Sequence, residues 1–390
     1  MSRLRYLTAG ESHGPALTGI MEGMPAGLPL TVDDIHTDGR RRMMGYGRGN
    51  RMKIETDEVK ILAGVRRGET LGSPISLYIE NRDHQKWLEI MTAEPREGEA
   101  ARAVYIPRPG HTDRVGGIKY GRADMRDILE RASARETAMR VALGAIARTL
   151  LKQLGIVVAS RVVRIGEVVD ETPLDADIAS LNERVDRSPV RVLDGGAAER
   201  IMKNIDASKE AGDTLGGVFE VVAGGMPIGL GSHAQWDRRL DGRIGEAFLA
   251  LNAIKGVELG LGFRGSALPG SAVHDVYYPG DNGALTRYGS NRAGGIEGGI
   301  STGQPIVVRV AMKPISTLMK PLPSVDLRTG EATNAYIERS DVCAVPAAAV
   351  IGESLLALVL ADAVLETFPA DTLEQLRGYV GTWREQIRAR

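Results

Sequence analysis

The sequence predicts an α+β protein built in layers. Three observations lead there: apolar runs of strand length recur along the 390 residues, stretches with helical spacing lie between several of them, and neither a Pro- or Ser-rich linker nor an internal repeat divides the chain. One intertwined domain over residues 1–390 is the organisation expected. The strand-like runs are Leu17 to Met21, Ile75 to Ile79, Gly217 to Val222, Ala272 to Tyr278 and Pro305 to Met312. The strongest helical pattern runs from Asp124 to Leu154, with Met139, Leu143, Ile146, Leu150 and Leu154 at spacings of three and four and Gly155 as the stop. Helices are also expected over Arg243 to Lys255 and Pro346 to Leu365, whereas Ile156 to Asn204 offers no usable motif.

Composition narrows the class of function. With 43% hydrophobic and 25% charged residues the chain can bury a core, and its formal charge of -1 is not that of a surface made to attract nucleic acid. A single cysteine, Cys343, allows no intrachain disulfide, and Met1 to Gly10 lacks the apolar run of a signal peptide, so a cytoplasmic protein is expected. Val345 to Phe368 is the most apolar stretch. Pro346, Glu353, Asp362 and Glu366 interrupt it, and it reads as a buried core helix with no membrane partner.

Glycine numbers 48 and aromatic residues only 4%, so much of the chain is turns and backbone-lined loops, and these are where chemistry is sought. In Gly10-Glu11-Ser12-His13-Gly14 two glycines bracket a histidine that can be presented as a proton donor; a turn histidine facing solvent is the plainer alternative. Arg40, Arg41, Arg42, Arg48, Arg51 and Lys53 form a cationic run with no carboxylate between Asp38 and Glu55, and Gly45, Gly47 and Gly49 lie inside it. Guanidinium forks on a Gly-rich loop suit a small phosphate or carboxylate, against the alternatives of a solvated basic loop or a single-strand nucleic-acid site with only Tyr46 for stacking. Arg108-Pro-Gly-His111-Thr-Asp113 holds a second histidine beside an arginine. In Glu130-Arg-Ala-Ser133-Ala134-Arg135-Glu-Thr137 small residues let a flat group or another backbone lie close, unless the segment is ordinary helix packing with solvent-facing ion pairs.

Gly260-Leu-Gly262-Phe-Arg-Gly265 matches the dinucleotide fingerprint by letter, but Ser266-Ala-Leu-Pro269-Gly270 stands where the required helix would begin, so a Rossmann site is rejected. No Walker loop is present. The six histidines form no close ligand pair, and no metal is expected.

Taken in order along nearly the whole chain, these segments resemble the chorismate synthase family. The resemblance rests on Thr8-Ala-Gly-Glu-Ser-His13-Gly14, Arg41-Arg42-Met-Met-Gly-Tyr-Gly-Arg48-Gly49, Arg108-Pro-Gly-His111 and the 130–137 segment. It continues through Asn252-Ala253-Ile-Lys-Gly256-Val-Glu, Gly294-Gly-Ile-Glu-Gly-Gly-Ile, Lys313-Pro-Ile-Ser-Thr317 and Arg339-Ser-Asp341. It implies a β-α-β sandwich with helices packed between antiparallel sheets, a homotetramer, reduced FMN as cofactor, and 5-enolpyruvylshikimate 3-phosphate as substrate. The resemblance also implies flavin contacts from Ser133, Ala134, Arg135, Asn252, Ala253, Gly298 or Gly299, Lys313, Pro314, Ile315, Ser316, Thr317 and Arg339. Arg42, Arg48, Arg108 and Arg135 are assigned to the substrate or a nicotinamide nucleotide. His13 is then the acid beside the departing phosphate, His111 balances charge by the reduced ring, and Asp341 takes up the proton with the flavin N5. NADPH reduction by the chain itself and a separate flavin reductase are the two routes to the reduced cofactor. An RNA-binding protein and a flavin oxidoreductase with net hydride transfer are the rival functions.

Overall fold

Helices fill the space between two antiparallel sheets. The computed structural model describes residues 3–49, 54–98, 100–280, 286–338 and 341–388. The first sheet holds β1 (Arg5–Ala9), β2 (Ala16–Glu22), β3 (Val59–Ala63) and β4 (Ile75–Glu80) in the order β1-β2-β4-β3. The second holds β5 (Val157–Ile165), β6 (Val168–Val169), β7 (Gly217–Gly224), β8 (Ile254–Leu259) and β9 (Ile306–Met312) in the order β8-β9-β7-β5-β6. Every pairing within these two sheets is antiparallel.

Five helices matter for the site: α1 (Val32–Met43), α2 (Asp113–Tyr120), α3 (Arg126–Ala132), α4 (Thr137–Gln153) and α5 (Val345–Thr367). α4 lies on β2 and β4 of the first sheet, α5 lies on β5 and β7 of the second, and the two helices pack on each other with α1 alongside. In β2 the period of two sends Leu17 and Met21 inward, paired across the ladder with Ile79 and Ile75, and all four are fully buried. Gly19 lies between them, where a Cβ would come within 2.6 Å of Met139 Sδ on α4. The same device brings the helices together: a Cβ on Gly144 would stand 2.3 Å from the Ser354 Cβ of α5.

Val345–Thr367 is long and apolar enough to cross a membrane by length and composition, and the interrupting residues do not change that; its burial inside the protein makes it a core helix. Several boundaries differ from the sequence reading. The Asp124 to Leu154 pattern is two helices broken at Ser133, although Met139, Leu143, Ile146, Leu150 and Leu154 are buried as expected and Gly155 has the positive φ of a stop. The helix expected to reach Lys255 spans Leu240–Leu249, because Ile254 onward is claimed by the ladder with β9. Ala272 to Tyr278 is strand only from Tyr277, after a helical turn at Gly270–Val273. Ile156 to Asn204 supplies β5, which alternation alone conceals because nearly all of it is buried on both faces.

One carboxylate ties the layers together. Glu353, fully buried on α5, accepts both Nη groups of Arg41 at 2.8 Å, Arg148 Nη1 at 2.9 Å, Arg191 Nη2 at 3.2 Å and the Ser160 hydroxyl at 2.6 Å. Burial by itself would raise its pKa, but the guanidiniums of Arg41, Arg148 and Arg191 outweigh that and hold it well below the ordinary carboxylate range. Glu353→Ala removes the fully buried member of this network but leaves Asp38 on Arg41 and Arg148 and Asp186 on Arg41 and Arg191, so it should cost at most about 3–5 kcal/mol, read from urea unfolding; a loss under about 1 kcal/mol would deny the network its role. A depressed carboxylate contributes fully above its unfolded pKa and loses that contribution as pH falls toward its folded value. The wild type should accordingly weaken on acidification below about pH 4.5, and Glu353→Gln should weaken less over that interval.

Candidate active site

The break at Ser133 organises the site. Ser133 adopts φ −64°, ψ 143°, its hydroxyl accepts the Arg135 N–H at 3.3 Å, and one turn of 3-10 helix follows before α4. Ending α3 there frees carbonyls that need donors. Ala132 O is taken by Asn252 Nδ2 at 2.9 Å, and Ala134 O by Arg42 Nη2 at 3.1 Å and the Thr137 hydroxyl at 2.5 Å. Residues from distant parts of the chain thus converge because a helix is interrupted.

The His13 turn docks on α3. Arg131 donates to the carbonyls of Gly10 and Thr8 at 3.0 and 2.9 Å, Ser12 N–H donates to Glu130 O, and the Ser12 hydroxyl meets the Ser133 hydroxyl at 3.1 Å. His13 is 9% exposed, which sets aside the solvent-facing alternative. Its backbone N–H and ring Nδ1 both face the Glu130 carboxylate at 2.8 Å, its ring stacks on Trp87 at 4.0 Å, and its carbonyl is bonded to His84 Nδ1. Burial would raise Glu130, but the bonds from His13 and the nearby Arg126 hold it below the ordinary value. The solvent-facing ion pairs considered for this segment are not found: Glu130, Arg135 and Glu136 are all buried.

The arginine run is not an exposed loop. Its first members close α1, whose start is fixed by a capping box between Thr31 and Asp34, and cations in a last turn suit the helix dipole. Successive residues of a helix point in different directions, so Arg40 is exposed, Arg41 reaches Glu353, and Arg42 is buried toward Asp57 and Thr137. Asp57 is shared: Oδ2 takes Arg42 Nη1 at 3.1 Å and Oδ1 takes Arg135 Nη1. Arg135 also donates to Asn81 Oδ1 at 2.9 Å and Glu55 at 3.4 Å, while Asn81 Nδ2 holds the carbonyls of Glu11 and Gly14. Arg48 is only 10% exposed and pairs with Asp341 at 3.3 Å, whose other oxygen accepts the Gly49 N–H at 2.6 Å. Burial lowers the Arg42 pKa to about 10; Asp57 and Asp341 act against this, and the cations Arg48 and Arg135 add to it. Arg51, Lys53 and Arg339 lie outside the described residues.

His111 stands in a second cluster. Its Nδ1 is 2.5 Å from Asp113 Oδ1 at the start of α2, and Arg108 donates to the same carboxylate through Nε at 2.9 Å and to the Thr317 hydroxyl at 3.1 Å. Asp113 is fully buried, yet the bonds from His111 and Arg108 overcome the effect of burial and hold its pKa far below the usual range. Lys313 Nζ donates to Gly110 O, and Lys313 N–H to the carbonyl of Ala253, a non-glycine residue at φ 67°. Burial, with Lys255 nearby, lowers the Lys313 pKa. Residues 132–135, 252–253 and 313–317 are thereby joined to the His111 turn. Gly298 and Gly299 are not joined to them by these bonds: they cap a hairpin where Gly299 O accepts the Leu240 N–H and packs near Arg239.

Asp57, Glu55, Asn81 and Trp87 were not foreseen as site residues, nor were Glu130, Asp113 and Thr137 singled out within their motifs. No spacing announces Asp57 or Asn81, which reach Arg135 only through the pairing of distant segments. Among the described residues no three His, Cys, Asp or Glu side chains gather as a metal site.

Comparison with known proteins gives this arrangement a class. The family model described as chorismate synthase matches residues 4–365. Chorismate synthase of Moorella thermoacetica is 55% identical over 99% of both chains, and that of Desulforamulus reducens 53% over 99% of both. A crystal structure of chorismate synthase superposes with a TM-score of 0.80 at 42% identity, covering 99% of each chain. These likenesses place the protein among enzymes of the lyase class. The chain belongs to the chorismate synthase family, which carries out the last step of the shikimate pathway, and the β-α-β sandwich implied by the motifs is the fold observed.

Asp57→Ala should leave Arg42 and Arg135 buried without their common counter-charge, at a cost of about 3–5 kcal/mol in unfolding free energy. A change smaller than about 1 kcal/mol would show that Glu55 and Asp341 suffice.

Proposed function

We propose that the protein catalyses the anti-1,4-elimination of phosphate and a proton from 5-enolpyruvylshikimate 3-phosphate to give chorismate, in the site formed around Ser133. The observation that carries this reading is the convergence of Arg42, Arg48 and Arg135, with Arg135 joined through Asn81 to the turn that carries His13: fixed guanidiniums near a histidine anchored on α3 suit an anionic leaving group. Departure of phosphate builds negative charge on the ester oxygen. Preorganised guanidiniums stabilise it without reorganisation, and His13 delivers a proton to it. The four donor bonds Arg42 already makes to Asp57, Thr137 and Ala134 O make it a fixed charge, with Arg48 and Arg135 beside it. Asp341, held in place by Arg48 and the Gly49 N–H, is the acceptor of the substrate proton.

The residues around Ser133 fit reduced FMN. Small side chains at Ala132, Ser133 and Ala134, the backbone of Asn252-Ala253, and the Lys313 to Thr317 segment border one another, and Lys313 with Lys255 supplies positive charge for a phosphate tail. Gly298 or Gly299 and Arg339 complete the proposed set, and His111 balances charge at the ring. Reduced FMN held by these residues would supply electron density for cleavage of the carbon–oxygen bond with no net change in its oxidation state. NADPH, or a separate reductase, supplies the reduced cofactor. A single domain over the whole chain, a homotetramer and a cytoplasmic location belong to the same reading, with no nucleic-acid or membrane partner.

Because the elimination leaves the electron count of the organic product unchanged, reduced FMN is required without being consumed. Under anaerobic conditions, one round of flavin reduction followed by many equivalents of substrate should release many phosphates per flavin. One phosphate per flavin oxidised would make the protein an ordinary redox enzyme. Asp341→Asn keeps the shape of the carboxylate but not its basicity, and should bind reduced flavin while slowing proton removal about 10²–10⁴-fold. Near-normal single-turnover rates in that variant would remove Asp341 from the role.

A further inference from the structure

The two histidines are held in the same way by residues to which the reading above gives no part. His13 Nδ1 lies 2.8 and 3.0 Å from the two oxygens of Glu130, and His111 Nδ1 lies 2.5 Å from Asp113 Oδ1. Each carboxylate is at most 2% exposed. Each is also held by a buried arginine: Arg126 Nη1 is 3.0 Å from Glu130 Oε1, and Arg108 stands 2.9 Å from Asp113 Oδ2 through Nε and 3.1 Å from Oδ1 through Nη2, the latter also 3.2 Å from His111 Nδ1. A carboxylate in such a position can only accept, so the ring nitrogen it faces carries hydrogen; at His111 the 2.5 Å contact with Asp113 Oδ1 outweighs the 3.2 Å approach of Arg108 Nη2, whose donor is taken by the same oxygen at 3.1 Å.

For His13 the anchoring closes into a ring of contacts. Arg126 bonds Glu130 and also lies over Trp87, 5.0 Å from the ring centroid, while Trp87 stacks on the His13 imidazole at an interplanar angle of 21°. Glu130 therefore fixes which nitrogen is protonated, and Trp87 fixes the plane of the ring. The second nitrogen, Nε2, has Asp83 Oδ2 at 4.0 Å, beyond hydrogen-bond distance.

We propose that Glu130 and Asp113 are positioning residues for the reaction: each holds Nδ1–H of its histidine, so that Nε2 is the nitrogen that exchanges a proton at His13 and that faces the bound groups at His111. This rests on the roles given to His13 and His111 above, but it is a separate claim about how the rings are held. Without the anchor the neutral ring can take the other tautomer and turn its lone pair the wrong way, which lowers turnover while substrate affinity stays.

The test combines a coupling cycle with a spectrum of the full-length protein. Glu130→Gln should reduce kcat at least about 10-fold, bounded by the 10²–10⁴ that a general acid supplies, with KM nearly unchanged. In a His13→Ala background the same substitution should cost nothing further, while in a His111→Ala background it should cost its full amount; Asp113→Asn should show the converse pattern. Equal losses in every background would mean that Glu130 and Asp113 act only on the general fold, and would overturn the proposal. The ring ¹⁵N shifts of the unmutated protein, assigned by the signals lost in His13→Ala and His111→Ala, should show both neutral rings protonated at Nδ1. Protonation at Nε2 in either would also overturn it, and this readout does not depend on any variant folding well. His13→Ala with full turnover would instead sink the acid role alone, leaving the ¹⁵N result to decide the positioning claim.

Discussion

The site depends on one interrupted helix. A continuous helix from Arg126 to Gln153 would satisfy its own carbonyls and offer nothing to the rest of the chain. Stopping at Ser133 releases the carbonyls of Ala132 and Ala134, and the donors that answer them are Asn252, Arg42 and Thr137. From that small rearrangement follow the depth at which Arg42 is buried, the proximity of the 252–253 and 313–317 segments, and the short path through Ser12 and Ser133 to His13. The break is local, but it sets the relative positions of three clusters of charge.

Those clusters are tolerable only because the cations come with carboxylates. Arg42 and Arg135 share Asp57, Arg48 has Asp341, Arg108 has Asp113, Arg126 has Glu130, and Arg41, Arg148 and Arg191 meet at Glu353. A buried pair contributes little net stability, but losing one member strands the other. The arrangement therefore converts the sandwich into a rigid frame of fixed dipoles and charges. The Glu353 group braces that frame from the far side of α1: Arg41 points to it while its neighbour Arg42 points to the site.

Much of this was legible in the residues, and what was not has definite physical reasons. The family motifs led to the sandwich, and the buried face of α4 was readable from its spacing. The Ser133 break was not, since Glu130 to Thr137 contains neither Pro nor Gly and the interruption is marked locally only by the Ser133 hydroxyl accepting the Arg135 N–H. The burial of Arg42 and Arg48 was hidden because a run of arginines with glycines looks like solvent-facing loop, whereas α1 turns Arg42 inward to Asp57 and Asp341 draws in Arg48. Asp57 and Asn81 were invisible for the same reason in reverse: each is an ordinary polar residue locally, and only the pairing of β3 with β4 and the packing of the sheet on α4 put them beside Arg135.

The position of α5 in the chain bears on how the protein is made. Both sheets and α4 are encoded before residue 313, whereas the helix that fills the space between α4 and the second sheet begins at Val345. During synthesis, which proceeds from the N-terminus, the ribosome therefore exposes two layers with apolar inner faces before the element that covers them has emerged. Glu353 arrives with that element, so until then Arg41, Arg148 and Arg191 have only Asp38 and Asp186 of their native counter-charges. A polypeptide stalled ahead of Val345 has the motifs of the site but no middle to its sandwich, and its apolar inner faces are what a chaperone shields until α5 has emerged.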